Sequence, residues 1–197
     1  RVLERTDAVV VSDEVYEHIV FDGGRHESLA RYPQIAERAV VISSFGKTYH
    51  TTGWKVGYCA APAPIAAEIL KVHQWITFAV NGAVQMAYAD AVRRDPECRQ
   101  VTAFYEAKRA RFRSLLAGSR FRPLPCRGTY FQMLDYSAIT AEGDTDFAMR
   151  LIRDHGVASI PISPFLHEGE QPGPVLRFCF AKRDDTLDRA AERLQGV

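Results

Sequence analysis

Two stretches decide how this chain is read: Val9-Val10-Val11-Ser12-Asp13-Glu14-Val15-Tyr16 and Val41-Ile42-Ser43-Ser44-Phe45-Gly46-Lys47-Thr48. Each is a short apolar run that ends in reactive side chains. Such runs read as strands buried on both faces of a mostly parallel sheet. In open α/β sheets, ligands sit at the C-terminal ends of strands. Strands are therefore expected over 7–12 and 40–45, with a third over 56–61 closed by Pro62 and Pro64.

A nucleotide-triphosphate site is the first chemistry to weigh. The acidic strand end looks like a Walker B element, and Gly46-Lys47-Thr48 looks like the end of a Walker A loop. The G-x-x-x-x-G-K-[ST] pattern needs Gly where Val41 stands. Without that loop the backbone amides cannot cradle phosphates. The acid also precedes the loop, which reverses the usual order.

Beyond the third strand the pattern turns helical. Ile65, Ile69, Val72 and Ile76 share one face, and Trp75 and Phe78 are expected to pack among the helices. A further helix runs to about Arg94 and breaks near Asp95-Pro96. A long amphipathic helix is expected over 97–117, with Lys108 inward by its stem and Gly118 as its stop. Strands are then expected at 121–122, 128–134, 157–160 and 175–180, with a helix over 145–155. Asp184 is expected to cap a last helix. The resulting architecture is α/β, with residues 1–97 forming a mostly parallel sheet with helices. Residues 98–197 form a long connecting helix and a small α+β domain.

Composition agrees with a folded protein of ordinary kind: 197 residues, 47% hydrophobic and 25% charged. That length buries a core without disulfides or metal. The formal net charge of +1 gives no global electrostatic case for nucleic acid or an anionic membrane surface. No apolar run approaches the roughly 20 residues of a membrane span. Cys59, Cys98, Cys126 and Cys179 form no C-x-x-C pair and read as free thiols in a reducing compartment. His18, His50 and His73 lack ligand spacing, so no metal is expected. The start is charged and helix-like rather than a signal peptide, which makes the cytoplasm the expected location. There is no initiator Met, and the chain reads as a piece of something longer.

Taken together, Asp13-x-x-Tyr16, Ser44-x-x-Lys47 and Gly53-Trp54-Lys55-Val56-Gly57-Tyr58 resemble the pyridoxal-phosphate-dependent aminotransferases of fold type I, class I/II. The lysine lies 34 residues after the aspartate and a second cation eight residues after the lysine, as in that family. Leu176-Arg177-Phe178-Cys179-Phe180 matches it as well. Gly53–Tyr58, the run from Arg127 to Phe131, Leu134-Asp135-Tyr136-Ser137 and Phe180-Ala181-Lys182 resemble the kynurenine–glutamine and methionine branch.

The resemblance implies transamination between an amino acid with a methionine, aromatic or glutamine-like side chain and a 2-oxo acid, by a homodimer. It implies that Lys47 holds pyridoxal 5′-phosphate as a Schiff base. Asp13 would be a buried carboxylate that keeps the pyridine nitrogen protonated. Tyr16 would bond the phenolic oxygen, and Ser44 and Lys55 would hold the phosphate. Arg177 would grip the substrate α-carboxylate bidentately. Plainer roles stand beside these: a solvated lysine, a turn acid, a core aromatic, a surface-strand arginine. Family elements upstream of the Asp-x-x-Tyr strand are not in the sequence. These include a phosphate-binding loop, a ring-stacking aromatic and a tyrosine lent by the other subunit. The chain thus resembles the C-terminal half of such an enzyme, or a fragment of one without activity. Ile160-Pro161-Ile162-Ser163-Pro164-Phe165 departs from the Pro-Gly of many relatives.

Overall fold

The computed structural model describes residues 3–95 and 98–197. The expected break at Asp95-Pro96, the expected helix start at 97 and the first two residues of the helix-like start lie at least partly outside the described residues. The chain divides into two compact units, Arg1–Thr102 and Ala103–Val197.

The first unit is built on a three-stranded sheet of order β1-β2-β3: β1 Val10–Asp13, β2 Ala39–Ser44 and β3 Gly57–Ala60. β1 and β2 are parallel, with Val10 opposite Ala39 and Asp13 opposite Ile42. The long 14–38 connection, which includes the one-turn helix α1 (Pro33–Ala36), allows that crossover. β3 instead runs antiparallel to β2, with Ser44 opposite Gly57. The mostly parallel sheet expected from sequence is thus mixed here. The physical reason lies in 45–56. That segment is spent on one-turn α2 (Phe45–Thr48) and a 3₁₀ turn at Thr52–Trp54. Thr51 N–H bonds the Gly46 carbonyl and Trp54 N–H the Thr51 carbonyl, so the chain turns back at the sheet's end without crossing a face.

Expected burial on both faces holds only in part of the central strand, where Ile42 is 37% exposed. β2 buries Ala39, Val40 and Ser43, whereas Val11 of β1 is 64% exposed and all of β3 is exposed. β1 and β3 are edge strands, and edge strands have fewer neighbours. α3 (Ala63–Ile76) starts on Pro64 in its first turn but buries no residue. Its inward stripe is Ile65, Ile69 and His73, all half-buried. Trp75 and Phe78, expected to pack among helices, are 83% and 87% exposed. α4 (Gly82–Arg94) is capped by Asn81, whose side-chain oxygen accepts from Val84 N–H. Its buried Tyr88 stacks on Phe45 at 4.9 Å and shares a 2.6 Å hydrogen bond with Thr51. α4 therefore braces the turn that carries Lys47.

α5 (Arg99–Leu115) runs across the division at residue 102. The second unit continues with β4 (Arg122–Pro123), β5 (Phe131–Asp135), α6 (Asp144–His155), β6 (Ile160–Pro161), β7 (Val175–Cys179) and α7 (Asp184–Gln195). Its sheet has the order β4-β5-β7-β6 and is antiparallel throughout. Leu134, Phe147, Leu151, Leu176, Phe178 and Leu187 form its core. Gly156 stops α6 at φ 63°, in the left-handed region that glycine enters freely. Asp184 is the first residue of α7 rather than its cap, and no side chain caps that helix. Its carboxylate instead accepts from Lys108 Nζ at 2.5 Å, which explains the inward stem of Lys108. Among the described residues no helix is long and apolar enough to cross a membrane.

Gly57 gives a direct test of the β2–β3 pairing. A Cβ there would stand 2.5 Å from the Ser43 carbonyl oxygen, a backbone atom that cannot swing away. Gly57→Ala should lower the denaturant midpoint at unchanged m-value, by about 1–3 kcal/mol of stability. An unchanged midpoint would mean the two strands are looser than the register implies.

Candidate active site

The register brings five expected site residues to one end of the first unit's sheet. Asp13 is the last residue of β1, and Ser44 the last residue of the parallel β2. Lys47 follows within α2, on the turn that leaves β2. Lys55 lies just before Gly57, which faces Ser44 across the β2–β3 ladder. Tyr16 sits in the turn after β1, where its carbonyl accepts from Ile19 N–H at 2.8 Å. Gly46 is required within α2, because a Cβ there would lie 2.9 Å from Thr52 Cα. Lys55 adopts φ 57°, a left-handed conformation that bends the chain into β3.

The exposures differ from expectation in one respect. Asp13, expected as a buried carboxylate, is exposed, and its Oδ1 accepts from Val15 N–H at 3.2 Å. The buried acid is its neighbour. Glu14 is 5% exposed; His26 Nε2 lies 2.8 Å from Oε2, and Leu29 N–H donates to Oε1 at 3.0 Å. Burial pushes its pKa up, but hydrogen bonds from His26, Leu29, Ser28 and Ser12 outweigh burial and hold it below its ordinary value. Glu17 plays the parallel part beyond Tyr16. Ser43 Oγ–H donates to it at 2.5 Å and Tyr58 O–H at 2.7 Å. Burial, followed by this carboxylate, raises the Tyr58 pKa. Glu14 and Glu17 thus fix the turn carrying Tyr16 from both sides. The sequence pattern gave neither Glu14 nor Glu17 a role, although an acid just before the apolar Ile19-Val20 is a signal that could have found Glu17. A cavity of about 360 Å³ opens beside Ser44, Thr48 and Glu17, and neither Lys47 nor Asp13 lines it.

Arg177 lies in the second unit, in the middle of β7, opposite Met133 and Ile160. Its guanidinium carbon is 4.3 Å from the centre of the Phe131 ring and 5.1 Å from that of Phe165. Its Nε is buried and has no acceptor among the described residues.

The five expected residues at the sheet end supply one primary amine, one carboxylate, one phenol, one hydroxyl and a second cation. The Ser44, Lys47 and Lys55 side chains have no hydrogen-bond or ion-pair partner among the described residues. An aldehyde-bearing pyridine with a phosphate needs this set: an amine for its carbonyl carbon, an acid for its ring nitrogen, and donors and charge for the phosphate.

An α/β sheet with an amine and a phosphate-type donor set at one strand end, followed by an antiparallel α+β unit, defines a class of cofactor-dependent transferases. Residues 1–194 match the family model described as aminotransferase class I and II, and the chain belongs to that family. The family's cofactor is pyridoxal 5′-phosphate. The chain is 53% identical to a methionine aminotransferase of Escherichia coli over 95% of this chain and 49% of the relative. It is 34% identical to a kynurenine–oxoglutarate transaminase of Dictyostelium discoideum, over 95% of this chain and 48% of the relative. The solved structure of the methionine aminotransferase YbdL from Escherichia coli superposes with a TM-score of 0.92 at 50% identity, covering 99% of this chain and 52% of that one. The chain spans about half the length of the curated relatives it matches.

Glu14 makes the architecture of the site testable by pH. Its pKa in the folded chain lies below the ordinary value of 4.5, so the stabilisation is complete above that value and fades as the pH falls through the folded one. Glu14→Gln should cost about 1–3 kcal/mol at neutral pH, because it removes the charged acceptor of two buried-side donors. Denaturant titrations at pH 7 and pH 3 should show the gap between wild type and variant shrinking at the lower pH. A gap that stays constant would show that the charge of Glu14 contributes nothing.

Proposed function

We propose that the protein transaminates an amino acid with a methionine, aromatic or glutamine-like side chain against a 2-oxo acid, using pyridoxal 5′-phosphate. The observation that carries the reading is the gathering of Asp13, Ser44, Lys47 and Lys55 at one sheet end, where the two lysines and the serine have no partner among the described residues. When bound, pyridoxal phosphate supplies a carbonyl carbon for the amine and a ring that withdraws electrons. Lys47 Nζ would anchor the cofactor through its carbonyl carbon, with loss of water, and as a free amine would carry the proton at the substrate Cα. Asp13 would keep the ring nitrogen protonated by charge pairing. Tyr16 would donate to the phenolic oxygen. Ser44 Oγ and Lys55 Nζ would hold the phosphate, the lysine as a point charge rather than a fork. Arg177 binds the substrate α-carboxylate with two parallel N–H donors. In this reading residues 1–97 are part of the large cofactor-binding domain, and residues 98–197 are the connecting helix and the small domain. The enzyme is a cytoplasmic homodimer. Borohydride reduction of the cofactor-loaded protein followed by peptide mapping should leave the pyridoxyl group on Lys47, and a label on any other lysine would overturn the assignment.

A second reading, in which these 197 residues alone form an inactive fragment, is favoured by the exposed apolar side chains of α3 and the turn after it. The chain alone should lose pyridoxal phosphate on gel filtration and transaminate far below ordinary enzyme rates. Tight retention with normal turnover would remove this reading and leave the first.

A further inference from the structure

The segment Ile160–Phe165 has a structural job within the second unit. Its 3₁₀ turn, Ser163–Phe165, is held by Asp144 at the start of α6. Asp144 is 4% exposed, and its Oδ2 accepts from both Ile162 N–H at 2.6 Å and Ser163 N–H at 2.7 Å. A buried carboxylate that takes two backbone donors fixes a turn more firmly than packing alone, since charge-assisted bonds are about twice as strong as neutral ones. The turn ends on Phe165, an aromatic residue that is 64% exposed yet lies with its ring centre 5.1 Å from the Arg177 guanidinium carbon. Phe131 lies closer still, at 4.3 Å.

Two rings hold a guanidinium in a particular way. The attraction is between the cation and the negative face of the ring, so it consumes no N–H donor. A carboxylate partner from the protein would orient Arg177 equally well but would occupy the donors a ligand needs. The buried Arg177 Nε–H has no acceptor among the described residues. A buried donor left unpaired is costly, and an arriving carboxylate removes that cost.

We propose that Phe165, set in place by Asp144, is a positioning residue for Arg177: it orients the guanidinium by its ring face and so leaves the N–H fork open for a ligand carboxylate. The proposal rests on the reading of Arg177 as the carboxylate-binding residue. It assigns a role to Phe165 and Asp144 that neither residue's type nor its spacing shows. The ring, rather than apolar bulk, is the required feature.

The test is calorimetric titration of the full-length, cofactor-loaded protein with 3-phenylpropanoate, a carboxylate with no amine to react. Phe165→Leu should weaken binding about three- to tenfold, while Phe165→Tyr, which keeps the ring, should stay within about twofold of wild type. Asp144→Ala should weaken binding in the wild-type background and add little in the Phe165→Leu background, the non-additivity expected of residues acting in series. If Asp144→Ala does not fold, the two Phe165 variants decide alone. Phe165→Leu binding as tightly as wild type, or Phe165→Tyr binding as weakly as Phe165→Leu, would overturn the proposal. Arg177→Lys separates the two levels. Loss of binding there with Phe165→Leu unaffected overturns only the role of Phe165. Unchanged binding in Arg177→Lys overturns the reading of Arg177 itself.

Discussion

Strand β2 is hydrogen-bonded on both of its edges, and the first unit depends on that double pairing. Its parallel partner β1 ends at Asp13, and its antiparallel partner β3 begins at Gly57, just after Lys55. Because parallel neighbours end together and an antiparallel neighbour begins where they end, three separate segments deliver side chains to one edge. Ser44 and Lys47 come from β2 itself and the turn that leaves it. The close approach of Gly57 to the Ser43 carbonyl and of Gly46 to Thr52 shows how little slack this edge has. Tyr88 supplies the brace from α4, filling the space against Phe45 and bonding Thr51. The position of Lys47 is therefore set by strand pairing and one aromatic contact, not by its own side chain.

Three carboxylates do the local fixing, and all work by accepting donors from neighbouring elements. Glu14 ties the 26–29 segment to the end of β1, Glu17 ties the turn after β1 to β2 and β3, and Asp144 ties the Ser163–Phe165 turn to α6. For Glu14 and Asp144 burial alone would raise the pKa, and hydrogen bonds to the charged form reverse the sign. An acid held this way is stable as an anion and rigid as a strut. Such acids are spent on structure.

What was legible in the sequence follows from where information is local. The apolar runs before Asp13 and Lys47 marked two strands, because strand patterning sits within a few residues. The amphipathic helices and the Gly156 stop were legible for the same reason. The antiparallel direction of β3 was not, because it depends on how 45–56 folds back, and a one-turn helix with a 3₁₀ turn leaves almost no periodic trace. Trp75 and Phe78 misled for the opposite reason. Their apolar character is local, but burial needs a neighbour, and α3 buries nothing in this chain. Asp184 looked like a helix cap by position, while its real partner, Lys108, lies far away in sequence. The links from Glu17 to Ser43 and Tyr58, and from Phe165 to Arg177, are likewise long-range, so no spacing rule could reveal them.

The division between saturated and unsaturated polar groups is itself an argument about the ligand. Folding places nearly every polar group at the sheet end of the first unit in a bond: Glu14, Glu17, Ser43, Thr51 and Tyr58 all have partners. Among the described residues Ser44, Lys47 and Lys55 have none, and they are a hydroxyl and two cations. A protein that leaves two ammonium groups and a hydroxyl unpaired at one edge, when acids to pair them lie within a few residues, presents a local surplus of positive charge and donors. That surplus suits a ligand carrying several negative charges, and a phosphate monoester carries close to two. Asp13, exposed at the same edge, adds a single negative charge. A simple polyphosphate would leave Asp13 facing like charge, so a ligand that joins an anionic group to a cationic one suits this edge better.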